Sequence, residues 1–383
     1  MLLSTSVRRY AVGDGLLLLD TGSDRLFVYN PTACQLWNLV EDSATEEEVV
    51  SRFAAAWNLP ASNVRHDVSS VLAEWRHFGL IGEAAWGSKL HPPTDAEAHN
   101  PGRDASPRYL VKWTSTIRDI AFAFTIEHEL GSSVRAMLAK TESPEASADV
   151  LFEINQAPND KFAFSENGVE RIRSANPAQI VGALWQALLE QIHPGTEWLA
   201  FAHGGAVARH GEAVGICGPS GFGKSTLIGG LASDGFDYLS DDLLALTSPR
   251  GLVIPMPVPI SIKPGSVDAL ALRQPQLAKA KRYQTKGVEA RLLEPSIDAW
   301  MHDPVPLTKL VFPRFIAGAA AELQRVSSLA AIERLMADRI WLGYPMTEEK
   351  VAAFVAWIKE IPTYDFVYGD LAKALSIIKD LAA

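Results

Sequence analysis

Gly218-Pro219-Ser220-Gly221-Phe222-Gly223-Lys224-Ser225-Thr226 is the stretch on which the reading of this chain turns. Its spacing fits G-x-x-x-x-G-K-[S/T], a phosphate-binding loop (P-loop). Each residue type has a physical task there. Glycines let consecutive backbone N–H groups turn inward and form an anion nest. A helix opening near Lys224 sets the positive end of its dipole beneath the phosphates. Lys224 reaches the β- and γ-phosphates, and the Ser225 hydroxyl suits Mg²⁺, a hard cation that prefers oxygen. A chance match in a chain of this length has odds on the order of one in a hundred. The bland alternative is a glycine turn that binds nothing. Context argues against it: the apolar Ala213–Cys217 precedes the loop and the apolar Leu227–Leu231 follows, which is the strand–loop–helix order the mechanism needs.

Outward from the loop, His203 stands 15 positions before Gly218, at the end of a short apolar strand Trp198–Ala202. Asp241 and Asp242 stand 17 and 18 positions after Lys224. Strand ends beside a phosphate loop are where reacting groups collect in α/β folds. A lone histidine is usually structural and an aspartate pair after a strand is often a turn, but their spacing around the loop favours function for all three. Lys263, Arg291 and Arg314 are further candidate phosphate cations; the ordinary reading of each is a surface or structural charge.

The rest of residues 108–383 alternates. Tyr109–Trp113, Ile117–Phe124 and Val150–Asn155 read as strands, and Ala178–Ile192 as an amphipathic helix. Tyr238–Leu239 leads into Asp241-Asp242, two apolar stretches follow at Leu243–Thr247 and Gly251–Ile254, and Leu307–Phe312 reads as a strand. Helices are expected around Leu329–Met336, Thr347–Ile358 and Asp370–Leu381. Residues 83–107 contain Pro92-Pro93 and Asn100-Pro101-Gly102 and read as a linker. In residues 1–82, Val7–Val12, Leu16–Asp20 and Arg25–Tyr29 look like strands joined by Gly13-Asp14-Gly15 and Gly22-Ser23-Asp24. Three helices follow: one opened by Pro31-Thr32, one capped by Thr45 with Glu46-Glu47-Glu48 in its first turn, and one from Ser62 that Gly79 ends.

His203-Gly204, Ser220-Gly221-Phe222-Gly223-Lys224-Ser225 and Asp241-Asp242 together resemble the HPr kinase/phosphorylase family, most specifically over residues 198–246. Pro259-Ile260-Ser261-Ile262-Lys263, Val311-Phe312-Pro313-Arg314 and Tyr368-Gly369-Asp370 look like the HPr kinase-related branch. The resemblance implies an α/β P-loop kinase domain over 108–383. It makes Asp241 the general base for an attacking hydroxyl, His203 the residue that hydrogen-bonds and orients Asp241, and Lys224 the phosphate cation. Residues Gly218 to Thr226 bind ATP, while Ser225 and Asp242 attend Mg²⁺. Thr226 replaces an acidic residue usual in the carrier kinases, and their downstream Glu-containing signature is absent. Both departures argue against the reverse, phosphorylase reaction and against the sugar-transport carrier as substrate.

Leu17-Leu18-Leu19-Asp20, Asp24 through Ala33, Leu36-Trp37 and Val71 through Trp75 to Gly79-Leu80-Ile81 make residues 1–82 similar to the PqqD-like peptide-recognition domain of ribosomal-peptide biosynthesis, a small α+β, winged-helix-like fold. That resemblance implies capture of a precursor's leader peptide along Arg25, Leu26, Phe27, Val28 and Tyr29 by β-augmentation, facing the helix from Ser62 to Phe78. DNA binding is a poor alternative, because the third helix mixes Arg65, His66 and Arg76 with Asp67 and Glu74.

Composition sets the bounds. Of 383 residues, 48% are hydrophobic and 21% charged, as in a globular protein of two or three domains. A net charge of −10 argues against nucleic acid as a partner. Two cysteines, Cys34 and Cys217, exclude a disulfide framework. The apolar runs are too short for a membrane span and the N-terminus does not read as a signal peptide, so a cytoplasmic protein is expected. A homo-oligomer is left open. The expectation is an ATP- and Mg²⁺-dependent kinase of a Ser/Thr hydroxyl in a ribosomal precursor peptide, with lasso peptides as one substrate class. The alternatives are a small-molecule kinase with a regulatory N-terminal domain, and a non-catalytic nucleotide-dependent binding module.

Overall fold

Leucine at four consecutive positions, Leu16 to Leu19, makes a strand buried on both faces, and the N-terminal sheet is built around it. The computed structural model describes residues 2–43, 45–82, 109–143, 147–280, 282–285, 288–294, 303–343 and 345–383. Its mixed α/β chain packs as two units. One comprises Met1–Asp104, Ser327–Glu333 and Gly343–Lys359, and the other Ala105–Val326, Arg334–Leu342 and Glu360–Ala383. The linker expected over 83–107 lies outside the described residues. The segments 327–333 and 343–359, read from sequence as part of the C-terminal domain, pack with the first unit.

In the first unit, β1 (Val7–Val12), β2 (Gly15–Asp20) and β3 (Arg25–Tyr29) form an antiparallel meander with β2 central and β3 at an edge. Three helices cover it. The first, α1 (Pro31–Glu41), is capped by the Asn30 side chain, which accepts from Ala33 N. Next comes α2 (Glu46–Ala56), opened by the reciprocal Thr45–Glu48 capping box. Last is α3 (Ala61–His77), which stops where Gly79 takes the left-handed φ of 73°. Trp37 and Trp75 meet edge to face at 5.0 Å in the core. From the later segments, Glu348 accepts from the Arg8 guanidinium at 2.6 Å, and Met346 N donates to Asp24 at 2.6 Å.

The second unit begins with five strands: β4 (Leu110–Ile117), β5 (Ile120–Glu127), β6 (Val150–Ala157), β7 (Lys161–Glu166) and β8 (Val169–Ser174), paired in that order. The single strand expected over Ile117–Phe124 is corrected to a hairpin. Arg118 and Asp119 take φ of 49° and 67°, the primed turn that the twist of antiparallel strands favours. A helix, α4 (His128–Met137), follows β5. The sheet's core is aromatic, with Phe122, Phe124, Phe152 and Phe164 fully buried, and α5 (Pro177–Ile192) adds Leu184 and Leu188 to it.

The rest of the unit centres on a ten-stranded mixed sheet. Its strands are β9 (Trp198–Ala202), β10 (Gly204–Arg209), β11 (Glu212–Cys217), β12 (Asp237–Ser240), β13 (Leu244–Thr247), β14 (Leu252–Ile254), β18 (Val305–Phe315), β19 (Glu322–Val326), β20 (Ile340–Trp341) and β21 (Thr363–Tyr368). A separate three-stranded sheet holds β15 (Ile260–Ile262), β16 (Arg282–Thr285) and β17 (Val288–Leu293), with α7 (Pro264–Ala271) after β15. Across the part that matters here, β12, β10, β11, β18 and β21 lie side by side. Two helices pack on one face: α6 (Lys224–Ser233), through Leu227, Ile228 and Leu231, and α10 (Leu371–Leu381), through Leu375 and Ile378. Each such buried side chain contributes roughly 1.5–3 kcal/mol. Of the remaining helices, the second half of α8 (Ser328–Asp338) belongs to this unit, while its first half and nearly all of α9 (Glu348–Glu360) belong to the first unit. Among the described residues, no helix is long and apolar enough to cross a membrane.

Candidate functional site

Strand direction gathers the candidate residues at one edge. In the ladder, β11, β18 and β21 are parallel neighbours, while β10 runs antiparallel to both β11 and β12. The ends of β12, β11, β18 and β21 and the start of β10 therefore face the same way. Along that edge stand Asp241-Asp242 after β12, His203 before β10, the loop 218–223 after β11, then Phe315 and Tyr368. Carboxyl ends of neighbouring parallel strands are the usual ligand edge of open α/β sheets.

The loop adopts the shape its glycines allow. Gly218, Gly221 and Gly223 have φ of 135°, 92° and 94°, and α6 starts at Lys224 directly behind Gly223. A glycine loop before a helix N-terminus is built like an anion nest. Lys224 is buried at 5% exposure and its ammonium donates to the carbonyls of Gly218 and Pro219. Ser225 Oγ donates to Asp241 Oδ1 at 3.1 Å. Thr226 Oγ1 hydrogen-bonds Ser266 Oγ at 2.6 Å, and Tyr368 Oη donates to the Gly223 carbonyl at 3.2 Å.

Two adjacent aspartates meet different surroundings, because the strand ends at Ser240 and the backbone turns left-handed at Asp242. Asp241 is 2% exposed, and its Oδ2 has no hydrogen-bond partner among the described residues. Burial, and then the negative charge of Asp242, push the Asp241 carboxyl up to about 7. Asp242 has a left-handed φ of 65° and a half-exposed side chain, with Oδ1 3.6 Å from His203 Nε2. His203 Nδ1 is 2.8 Å from Asp338 Oδ2 at the end of α8. Burial lowers the His203 imidazole, but the two carboxylates outweigh it and the net shift is upward. Burial also works against ionisation of Asp338, yet the His203 hydrogen bond and charge hold its carboxyl below the usual range.

The arrangement differs from the expected one in a definite way. His203 was expected to orient Asp241, and its partners are Asp242 and Asp338. Asp242 was expected beside Ser225 at a metal, and the carboxylate against Ser225 is Asp241. Asp338 was missed. It lies 135 residues from His203, and its local sequence carries no motif. Of the three candidate cations, Lys263 reaches the loop, donating to Ser220 Oγ at 2.9 Å. Arg291 donates to the Leu277 carbonyl at 2.6 Å, a structural bond, and Arg314 is exposed near the end of β18.

Mg²⁺ fits the donors at this edge. Ser225 Oγ and the Asp241 carboxylate are all-oxygen ligands, and the orphaned Oδ2 is a buried acceptor without a donor. Among the described residues no group of three His, Cys, Asp or Glu side chains could hold a metal unaided. The remaining ligands would come from phosphate oxygens and water, as Mg²⁺ prefers.

In the first unit, β3 carries Phe27 against Phe78 at 5.2 Å and Tyr29 against Trp75 at 5.4 Å, ring centre to ring centre. Phe27 and Tyr29 thus lean on the third helix and its end. Leu26 and Val28 lie on the other face of the strand, and Arg25 is exposed. Burial and the Glu74 carboxylate raise the Tyr29 hydroxyl far above its ordinary range.

Residues 15–81, the meander's last two strands with all three helices, match the family model of coenzyme PQQ synthesis protein D (PqqD). The chain carries a PqqD-like domain at its N-terminus. Among solved structures, TbiB1 in complex with the TbiA(beta) leader peptide is similar, at 22% sequence identity over 22% of this chain and 99% of that one, with a TM-score of 0.21. No curated protein matches the chain.

Proposed function

We propose that this protein is an ATP-dependent kinase that phosphorylates a Ser or Thr hydroxyl of a ribosomally made precursor peptide, whose leader docks on the PqqD-like domain. One observation carries the kinase half: the Ser225–Asp241 hydrogen bond joins the loop to a carboxylate pair at the same strand edge. A nucleotide switch needs the loop alone. A kinase also needs an acceptor-side base, and the edge supplies Asp242 with His203 and Asp338 behind it.

The geometry favours exchanging the two aspartates' expected roles. Asp242 accepts the proton of the attacking hydroxyl, because it is half exposed and reachable from solvent. His203, fixed by Asp338, orients it. Asp241 and Ser225 would hold Mg²⁺, which would supply neutralisation of phosphate charge when bound. Lys224 leaves its carbonyl partners for those phosphates. Phosphoryl transfer needs alignment and charge balance more than covalent help, so these groups suffice.

The peptide half rests on the PqqD-like domain with an edge strand and an aromatic face on its third helix. A leader pairing with β3 would bond backbone to backbone and set alternate side chains against that helix. Fusion to the kinase raises the effective concentration of a weakly bound core. Lasso peptides are one such substrate class.

The experiment incubates protein and Mg-ATP with candidate ribosomal precursor peptides, any encoded near the gene first, and compares Asp242→Asn with Asp241→Asn. Asp242→Asn should lower kcat by about 10²–10⁴-fold with little change in KM for ATP. Asp241→Asn should instead raise the Mg²⁺ concentration needed for half-maximal rate. Equal effects on both quantities would refute the division of roles. ATP turnover without peptide modification would point to a small-molecule acceptor.

A further inference from the structure

Beyond the phosphate loop, on the side away from the aspartates, the strand edge carries a group of exposed aromatic and aliphatic side chains with no role so far. Phe315, the last residue of β18, is 49% exposed, Ile316 is 42% and Phe222, in the loop, is 36%. Resting on the phosphate-loop reading proposed above, we propose that Phe315 is the stacking platform for the nucleobase of the bound nucleotide.

Sheet order makes the argument. The loop after β11 lies between β10 and β18. Every carboxylate and imidazole of the site lies on the β10 side, so the reacting end of a triphosphate belongs there. A nucleoside triphosphate carries its base at the end opposite the γ-phosphate, and a base leaving the loop in the other direction meets the ends of β18 and β21. Phe315 stands there on rigid support. Its ring meets Tyr368 edge to face at 5.5 Å, and Tyr368 is 1% exposed and stacked on Phe366 at 5.3 Å. Tyr368 Oη and Phe315 N are both tied to the loop, by bonds of 3.2 Å to the carbonyls of Gly223 and Phe222. An aromatic ring held half in solvent beside a phosphate loop offers a face of the kind on which bases stack, and stacking accepts any base because each has a π-face. The acceptor peptide is not the occupant, since its hydroxyl must come to the carboxylate side.

The test measures binding of Mg-ATP and of Mg-tripolyphosphate, which lacks a base, by calorimetry. Wild type, Phe315→Ala and Phe315→Trp are compared, with thermal melts to check folding. Phe315→Ala should weaken ATP about tenfold and leave tripolyphosphate unchanged, and Phe315→Trp should restore ATP. Wild-type binding of both ligands, with Phe315→Ala weakening them equally or not at all, overturns this inference alone. Binding of neither ligand by wild type overturns the phosphate-loop reading together with it.

Discussion

Asp338 shows what one side chain can decide. Its carboxylate accepts from His203 Nδ1 at 2.8 Å and so fixes the imidazole's rotamer and the proton on that nitrogen. Asp338→Asn keeps the size but can present an amide N–H to the ring, favouring the wrong tautomer. Steady-state kinetics should show kcat reduced by about 10–100-fold, as for outer partners of ligating or catalytic histidines, with KM for ATP near its wild-type value. An unchanged kcat would leave the pair a structural contact. A second histidine titrates for stability alone. Burial, then the Arg118 guanidinium, pull His193 down to about 4, below the ~6.5 of an unfolded histidine. Its folded pKa is depressed, so its stabilising contribution is complete above pH 6.5 and is lost as pH falls toward 4. The melting temperature of wild type should therefore drop more between pH 7 and pH 4.5 than that of His193→Gln; parallel curves would contradict this. At this scale, His203, Lys224, Ser225 and the aspartate pair were legible because short spacings carry them. Asp338 and the pairing of Asp241 with Ser225 were not, because both depend on contacts across the fold.

Elements were legible where a local pattern decides them. The Thr45–Glu48 box, the Pro31 start of α1 and the apolar strands Trp198–Ala202 and Ala213–Cys217 all carry their signals within a few residues. Strand β10 was missed. Gly204-Gly205-Ala206 has little apolar volume, yet small residues are required there, since a Cβ on Gly205 would run into the Ser240 carbonyl. The turn at Arg118-Asp119 was missed because Arg118 is not a usual left-handed residue and no glycine or asparagine marks the turn. The loop offers the sharpest test at this scale. Gly223 combines a φ of 94° with a position where a Cβ would strike Tyr368 Oη. Gly223→Ala should distort the loop and abolish measurable Mg-ATP binding in calorimetry while leaving α6 folded by circular dichroism. Tight binding by Gly223→Ala would show that the loop conformation is not what holds phosphate.

For the whole molecule, packing is harder to read from sequence than any single element. Segments 327–333 and 343–359 join the N-terminal unit across more than 220 residues of sequence, and nothing in their composition announces it. The proposed function needs two recognition steps in one chain. If the leader docks on β3, added leader peptide should compete with the full precursor and slow its modification, with ATP binding unaffected. A core peptide lacking its leader should react far more slowly at equal concentration, by about 10²-fold or more. Equal rates with and without the leader would separate the PqqD-like domain from substrate capture.

The most direct measurement is the mass of the precursor peptide after incubation with Mg-ATP and either wild type or Lys224→Ala. The account predicts a gain of one phosphoryl group on a Ser or Thr of the core with wild type and none with Lys224→Ala. ATP consumed equally by both proteins, with the peptide's mass unchanged, would contradict it.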